Sequence, residues 1–214
     1  MKAIADRHGH KKKISIYKHM KSRNLVACLG ALILACACVP SVHPFYTEKD
    51  VQFEPKLVGK WVEQEKKDNP QIWNFEKAGT NDYKLTIQES ADKQGEFEAR
   101  LFKIKENLFL DLMAADPKLE TNQMDLVAAS LIPGHLLVRV HALQPSLKVA
   151  FMNPDWLEKF LEANPTALSH TKVQNRVILT ATTEQLQTFA MQHLGENKLF
   201  GEAGELRPKT EDKH

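Results

Sequence analysis

Three polar side chains in "HLLVRVHAL" (residues 135–143) are the first candidates for chemistry: His135, Arg139 and His141. Alternate residues of an extended strand share a face, so all three would fall on one side. His135 and His141 lie about 20 Å apart at roughly 3.3 Å per residue, too far to share one metal ion. Arg139 and His141 are closer, about 7 Å, and could hold an anionic head group. A solvated outer strand face is the simpler account of them. For hydrolysis, Ser130 neighbours His135, and Asp111 or Asp125 could complete a triad. No G-x-S-x-G elbow presents the serine, and Ser130-Leu131-Ile132-Pro133 reads as a loop. With 27 acidic residues in the chain, carboxylate pairs carry no information. His193 rides an apolar helical stripe as a core histidine would. Trp61, Trp73 and Tyr83 read first as core and second as pocket lining. Tyr83, Phe97 and Leu110 are the expected ligand contacts. No catalytic residue, metal or cofactor is assigned; the expectation is a protein that is not an enzyme, with an enzyme of unrecognised type as a further alternative.

The three cysteines, Cys28, Cys36 and Cys38, all fall within "LVACLGALILACACVP" (residues 25–40). A reactive or zinc-binding thiolate needs a folded scaffold, and this stretch supplies none. Eight Lys or Arg and one acid occupy residues 1–24, followed by eleven uncharged residues. That run is short of the roughly 20 apolar residues a transmembrane helix needs. A basic segment before a short apolar core is instead a secretory signal. Met20 makes the tidier start, with residues 1–19 as an upstream extension. Ile33-Leu34-Ala35-Cys36 resembles the lipobox of bacterial lipoproteins, which implies acylation of Cys36. Ala37 in the next position implies sorting to the outer membrane. Ala35-Cys36-Ala37 can also be read as an A-x-A site releasing a chain that begins at Cys38, and an uncleaved anchor is a third alternative. After Cys38 there is no cysteine, so the folded part rests on packing without an internal disulfide.

Outside residues 1–24 the charge is 21 basic against 26 acidic residues, so the folded part is mildly acidic and a basic nucleic-acid surface is not indicated. Residues 36–56 contain prolines and little periodicity, and read as a tether. From Leu57 the period becomes two. Strands are expected at 59–64, 71–76, 82–88, 96–104 (with a bulge at Leu101-Phe102), 107–112, 135–143, 147–151 and 176–181. Tyr83, Leu85 and Ile87 share one face; so do Leu108, Leu110 and Leu112, and so do Leu136, Val138, Val140 and Ala142. Asn153-Pro154 opens a helix with Trp156, Leu157, Phe160 and Leu161 on one stripe. Thr182 and Gln185 form a capping box before a second. The fold class is mainly β with an α+β ending: an antiparallel meander curling into a barrel of about eight strands, then two short helices. The expected boundaries are a signal region at 1–35, a tether at 36–56, a barrel-like domain at 57–196 and a disordered tail at 197–214. Residues 54–196 are expected to fold alone.

Gly59-Lys60-Trp61 at the first strand resembles the G-x-W signature of lipocalins, as Asn81-Asp82-Tyr83 resembles their T-D-Y element, though it falls on an earlier strand. The resemblance implies a lipocalin-like barrel in which Trp61, entered through Gly59, plugs one end. From "LVGKW" to "VILTATTEQLQTF" the pattern is also similar to a group of bacterial lipoproteins with no assigned activity. These readings imply a lipid-anchored envelope protein at the outer membrane, facing the periplasm. Its role would be structural or protein-interacting, with carriage of a small apolar or amphipathic ligand as the alternative. An open apolar cavity would favour carriage, and a filled interior would favour interaction. The partners are then the membrane, reached through the lipid, and an envelope protein or small apolar ligand.

Overall fold

A computed structural model describes residues 38–64, 69–115, 132–195 and 198–209. The strands are β1 (Pro40–Ser41), β2 (Gly59–Glu63), β3 (Ile72–Ala78), β4 (Asp82–Ser90), β5 (Lys93–Ile104), β6 (Asn107–Ala114), β7 (His135–Ala142) and β8 (Leu147–Phe151). Helix α1 (Pro154–Ala163), β9 (His170–Val173), β10 (Arg176–Leu179), α2 (Thr183–Gln192) and β11 (Gly204–Pro208) complete the chain. Strands β2 to β8 pair in succession, and β11 joins β8 to β2, closing an eight-stranded antiparallel barrel. β1, β9 and β10 lie outside it as an annex attached to the first residues of β7.

Alternation in the sequence becomes two cores that share a wall. Inward side chains of the barrel, among them Trp73, Phe75, Leu85, Leu101, Leu110 and Val138, pack into one cluster. Outward side chains of the same strands, Phe102, Phe109, Leu137 and Ala150, pack into a second cluster with the two helices. Leu101 and Phe102 are therefore both fully buried, on opposite faces. The bulge expected there is absent: β5 and β6 pair without interruption from Phe97↔Ala114 to Ile104↔Asn107. The register shifts instead between Gln88 and Ser90, and between Val140 and Ala142. Burial on both faces, not an extra residue, breaks the alternation.

The helices begin where their caps dictate. Asn153 accepts the Trp156 N–H with Pro154 in the first turn, and Thr182 and Gln185 close a reciprocal capping box. Aromatic rings join the two: Phe160 lies 5.6 Å from Phe189, and His193 lies 4.7 Å from Phe160 and 4.6 Å from Phe189.

Both ends of the expected domain are corrected. From residue 38 onward the stretch read as a tether is a strap: Val39, Ser41 and Phe45 are buried, and β1 pairs with β7 and β10. Gln52 N donates to Leu101 O, and Lys103 N to Asp50 O, on the part of β5 beyond its pairing with β4. Isolated apolar anchors between prolines have no period, so the strap looks like a linker in sequence. At the other end, residues 204–208 of the expected disordered tail form β11, with Leu206 buried between β8 and β2. The expected eighth strand, β10, belongs to the annex. Residues 54–196 would thus lack both the strap and the closing strand.

Candidate functional site

At the barrel end where β4 turns into β5, a cup of about 220 Å³ is lined by Trp73, Ile87, Phe97, Leu112, Leu136 and Phe151. Gln71, Cys38 and the Glu89–Lys93 ion pair edge it. The Trp73 indole N–H donates to the Gln71 side chain at 3.0 Å, fixing the ring at the base of the cup. Pockets that enclose drug-sized ligands run from about 300 to 1,000 Å³, so this one admits a fragment: the end of an acyl chain or a single apolar side chain. Beneath it the interior is filled. Phe75, Tyr83, Leu85, Leu101 and Leu110 are each at most 1% exposed.

The opposite end is closed by the chain itself. A 3₁₀ turn, Pro55–Leu57, sends Leu57 into the barrel core. Trp61 is 2% exposed, and its indole N–H donates to the Leu57 carbonyl at 2.8 Å. Gly59 enters β2 at φ 130°, a conformation that other residues rarely adopt, and a side chain there would meet no atom within 4 Å. Backbone shape, not space, favours glycine. The Tyr83 hydroxyl accepts the Glu54 N–H (2.6 Å) and donates to the Glu54 carbonyl (3.1 Å), while Phe53 stacks on its ring at 5.1 Å. Burial raises the Tyr83 pKa above the ordinary phenol value.

Tyr83, Phe97 and Leu110, the expected ligand contacts, are therefore not one lining. Phe97 lines the cup, Leu110 is sealed in the core, and Tyr83 is tied to the strap. Tyr83 and Phe97 both border a second depression, of about 470 Å³, among the charged residues Asp82, Lys84, Glu96, Glu98 and Arg100. Trp73, weighed as pocket lining from its residue type, does line the cup, whereas Ile87 from the neighbouring strand and Phe151 from β8 join it only through the barrel register.

His135 and Asp111 do meet. Diagonally placed on β6 and β7, they bring Nδ1 within 2.7 Å of Oδ1, with Asp111 2% exposed. The second carboxylate oxygen accepts the Phe45 N–H at 2.8 Å. Ser41, opposite His135 on β1, is fully buried, and its hydroxyl accepts the His43 N–H. The arrangement fastens the strap to the barrel wall. Ser130 and Asp125 lie outside the described residues, as does Cys36. No group of three His, Cys, Asp or Glu side chains among the described residues is disposed to hold a metal ion. No described helix is long and apolar enough to cross a membrane.

The fold and its sites define a closed, side-chain-filled antiparallel barrel wearing a helical annex. No family model, curated protein or solved structure matches the chain.

Proposed function

We propose that this protein is a cell-envelope lipoprotein, anchored through a lipid on Cys36 at the outer membrane and facing the periplasm. Its barrel acts as a structural or protein-interaction module. The filled interior is the observation that supports this reading: a carrier needs volume, and the space below the cup is occupied by side chains. Cys38 edges the cup, and two residues span at most about 7 Å. A lipid on Cys36 would hold the cup end close to the bilayer, with no long tether between.

Radiolabelled palmitate tests the anchor. Wild type should incorporate label and Cys36→Ser should not, whereas an unlabelled wild type beginning at Cys38 would overturn the lipoprotein reading. The cup supports a second reading, binding of one acyl chain end or a similarly small apolar group. A fluorescent fatty acid displaced by Phe97→Trp, which narrows the cup, would favour that reading. A fatty acid that never binds would leave interaction as the role.

A further inference from the structure

On the barrel's outer wall, β7 turns Arg139 and His141 away from the interior while Val138 and Val140 point into it. The segment returning from α2 toward β11 passes beside them. It is stitched in place by backbone hydrogen bonds from Asn153 N to Leu199 O (2.8 Å) and from Gly201 N to Phe151 O (2.9 Å). Between wall and segment is a cleft of about 360 Å³ lined by Arg139, His141, Asn153, Lys198, Phe200 and Gly201. Glu202 is the one acid among its described lining residues.

Positive charge exceeds negative among the cleft's described lining residues, with Arg139 and Lys198 against Glu202. The Arg139 guanidinium carries five N–H donors, yet among the described residues it makes one long hydrogen bond, Nη1 to the Leu194 carbonyl at 3.4 Å, and no ion pair. It is held 6.0 Å from the Phe200 ring, which orients it without neutralising it. Burial pushes the Arg139 pKa below its ordinary value, and no carboxylate offsets the shift. His141 is lowered first by burial and then by Arg139. The Asn153 carbonyl oxygen is taken by the Trp156 N–H, which leaves its amide as a donor.

We infer that this cleft is an anion site for a phosphate or phosphate monoester or diester, held by Arg139, His141 and Lys198. A planar guanidinium fork takes two phosphate oxygens at once, and Lys198, next to the backbone-bonded Leu199, supplies a second cation. The inference is independent of the cup and of the anchor at Cys36.

Titrating the full-length protein with inorganic phosphate by calorimetry, and by NMR of the Gly201 and Asn153 amides, tests it. Saturable binding with shifts at both amides is expected. Arg139→Gln and Lys198→Gln should each weaken it at least about tenfold. Arg139→Lys should recover only part of the loss, because it restores charge without the fork. Lys84→Gln, on a distant strand, should change nothing. Absence of saturable binding, or binding that survives Arg139→Gln, overturns the site. A water-soluble short-chain phosphatidylglycerol separates the sources: tighter binding than inorganic phosphate assigns a lipid head group, and equal or weaker binding assigns a free phosphate compound.

Discussion

Two arginines stand on the outer wall of the same barrel in opposite circumstances. Arg100, on β5, pairs with Asp82 at 2.6 Å and Glu48 at 3.1 Å, donates to the Tyr46 hydroxyl, and lies over the Tyr46 ring. Arg139, on β7, has an aromatic ring beside it but makes no ion pair with a carboxylate among the described residues. Both are desolvated by burial, yet hydrogen bonding and charge from Asp82, Tyr46 and Glu48 raise Arg100 above its ordinary value, while Arg139 falls below. The contrast separates structural charge from available charge. On the Arg100 side the strap brings its own acid and phenol, so the cation fastens fold to fold. On the Arg139 side the return segment brings both Lys198 and Glu202 into the cleft, yet Arg139 makes no ion pair among the described residues.

The largest expected effect removes what the two sides share. Truncation after residue 203 deletes β11, leaving the edges of β2 and β8 unpaired in place of a closed barrel. Loss of cooperative unfolding in a melt is expected, and a native-like transition in the truncated chain would show that β11 is dispensable.

Next come the plug and the strap. Trp61→Ala and Phe45→Ala each empty a fully packed site and should each cost about 3–5 kcal/mol in chemical denaturation. Trp61→Ala melting within a degree or two of wild type would remove it as a plug. Asp111→Ala leaves the Phe45 N–H without its buried acceptor and should cost about 1–3 kcal/mol. It should also raise amide exchange in residues 41–47 before the barrel strands, whereas uniform exchange would deny the strap its separate fastening.

The arginines differ more subtly. Arg100→Gln should destabilise by about 1 kcal/mol through its partly exposed ion pairs. Arg139→Gln should leave stability unchanged or raise it, because it removes a desolvated charge that makes no ion pair among the described residues. Equal losses in the two variants would erase the comparison.

The smallest effect is His141. Its folded pKa lies below the ordinary histidine value of about 6.5, so the unfolded chain binds its proton more readily. Stability is therefore undiminished above that pH and falls as pH drops through 6.5 toward the lower, folded value. Among the described residues, Arg139, Lys198 and Glu202 are the charged groups that share its cleft. His141→Asn should flatten that part of the stability profile slightly, and an unchanged slope would mean that His141 titrates as if free in water.

The same division governs what can be read from sequence. Strands β2 to β8 announce themselves because one face of each enters the barrel and a period of two survives in the residues. Helices α1 and α2 are marked by their caps. The strap is not marked: Val39, Phe45 and Leu57 are single anchors set by three-dimensional gaps, not by a repeat. β11 hides because "GELRP" buries one leucine among charges and a proline, and its strand character comes from the two edges it bridges. Of the sites, Phe97 follows from inward parity, and Arg139 and His141 from their spacing on one face. Lys198 arrives from a loop far along the chain, and Asp111 reaches His135 only through the β6–β7 register, so neither association is written locally.

The barrel is filled, and the cup and the outer wall are its proposed working surfaces. Native mass spectrometry of the chain beginning at Cys38, purified without detergent from cells, tests this most directly. The expected mass is the polypeptide alone, or the polypeptide with phosphate-sized adducts that Arg139→Gln removes. A co-purifying apolar molecule of several hundred daltons, retained by wild type and lost on unfolding, would contradict the claim and make the protein a carrier.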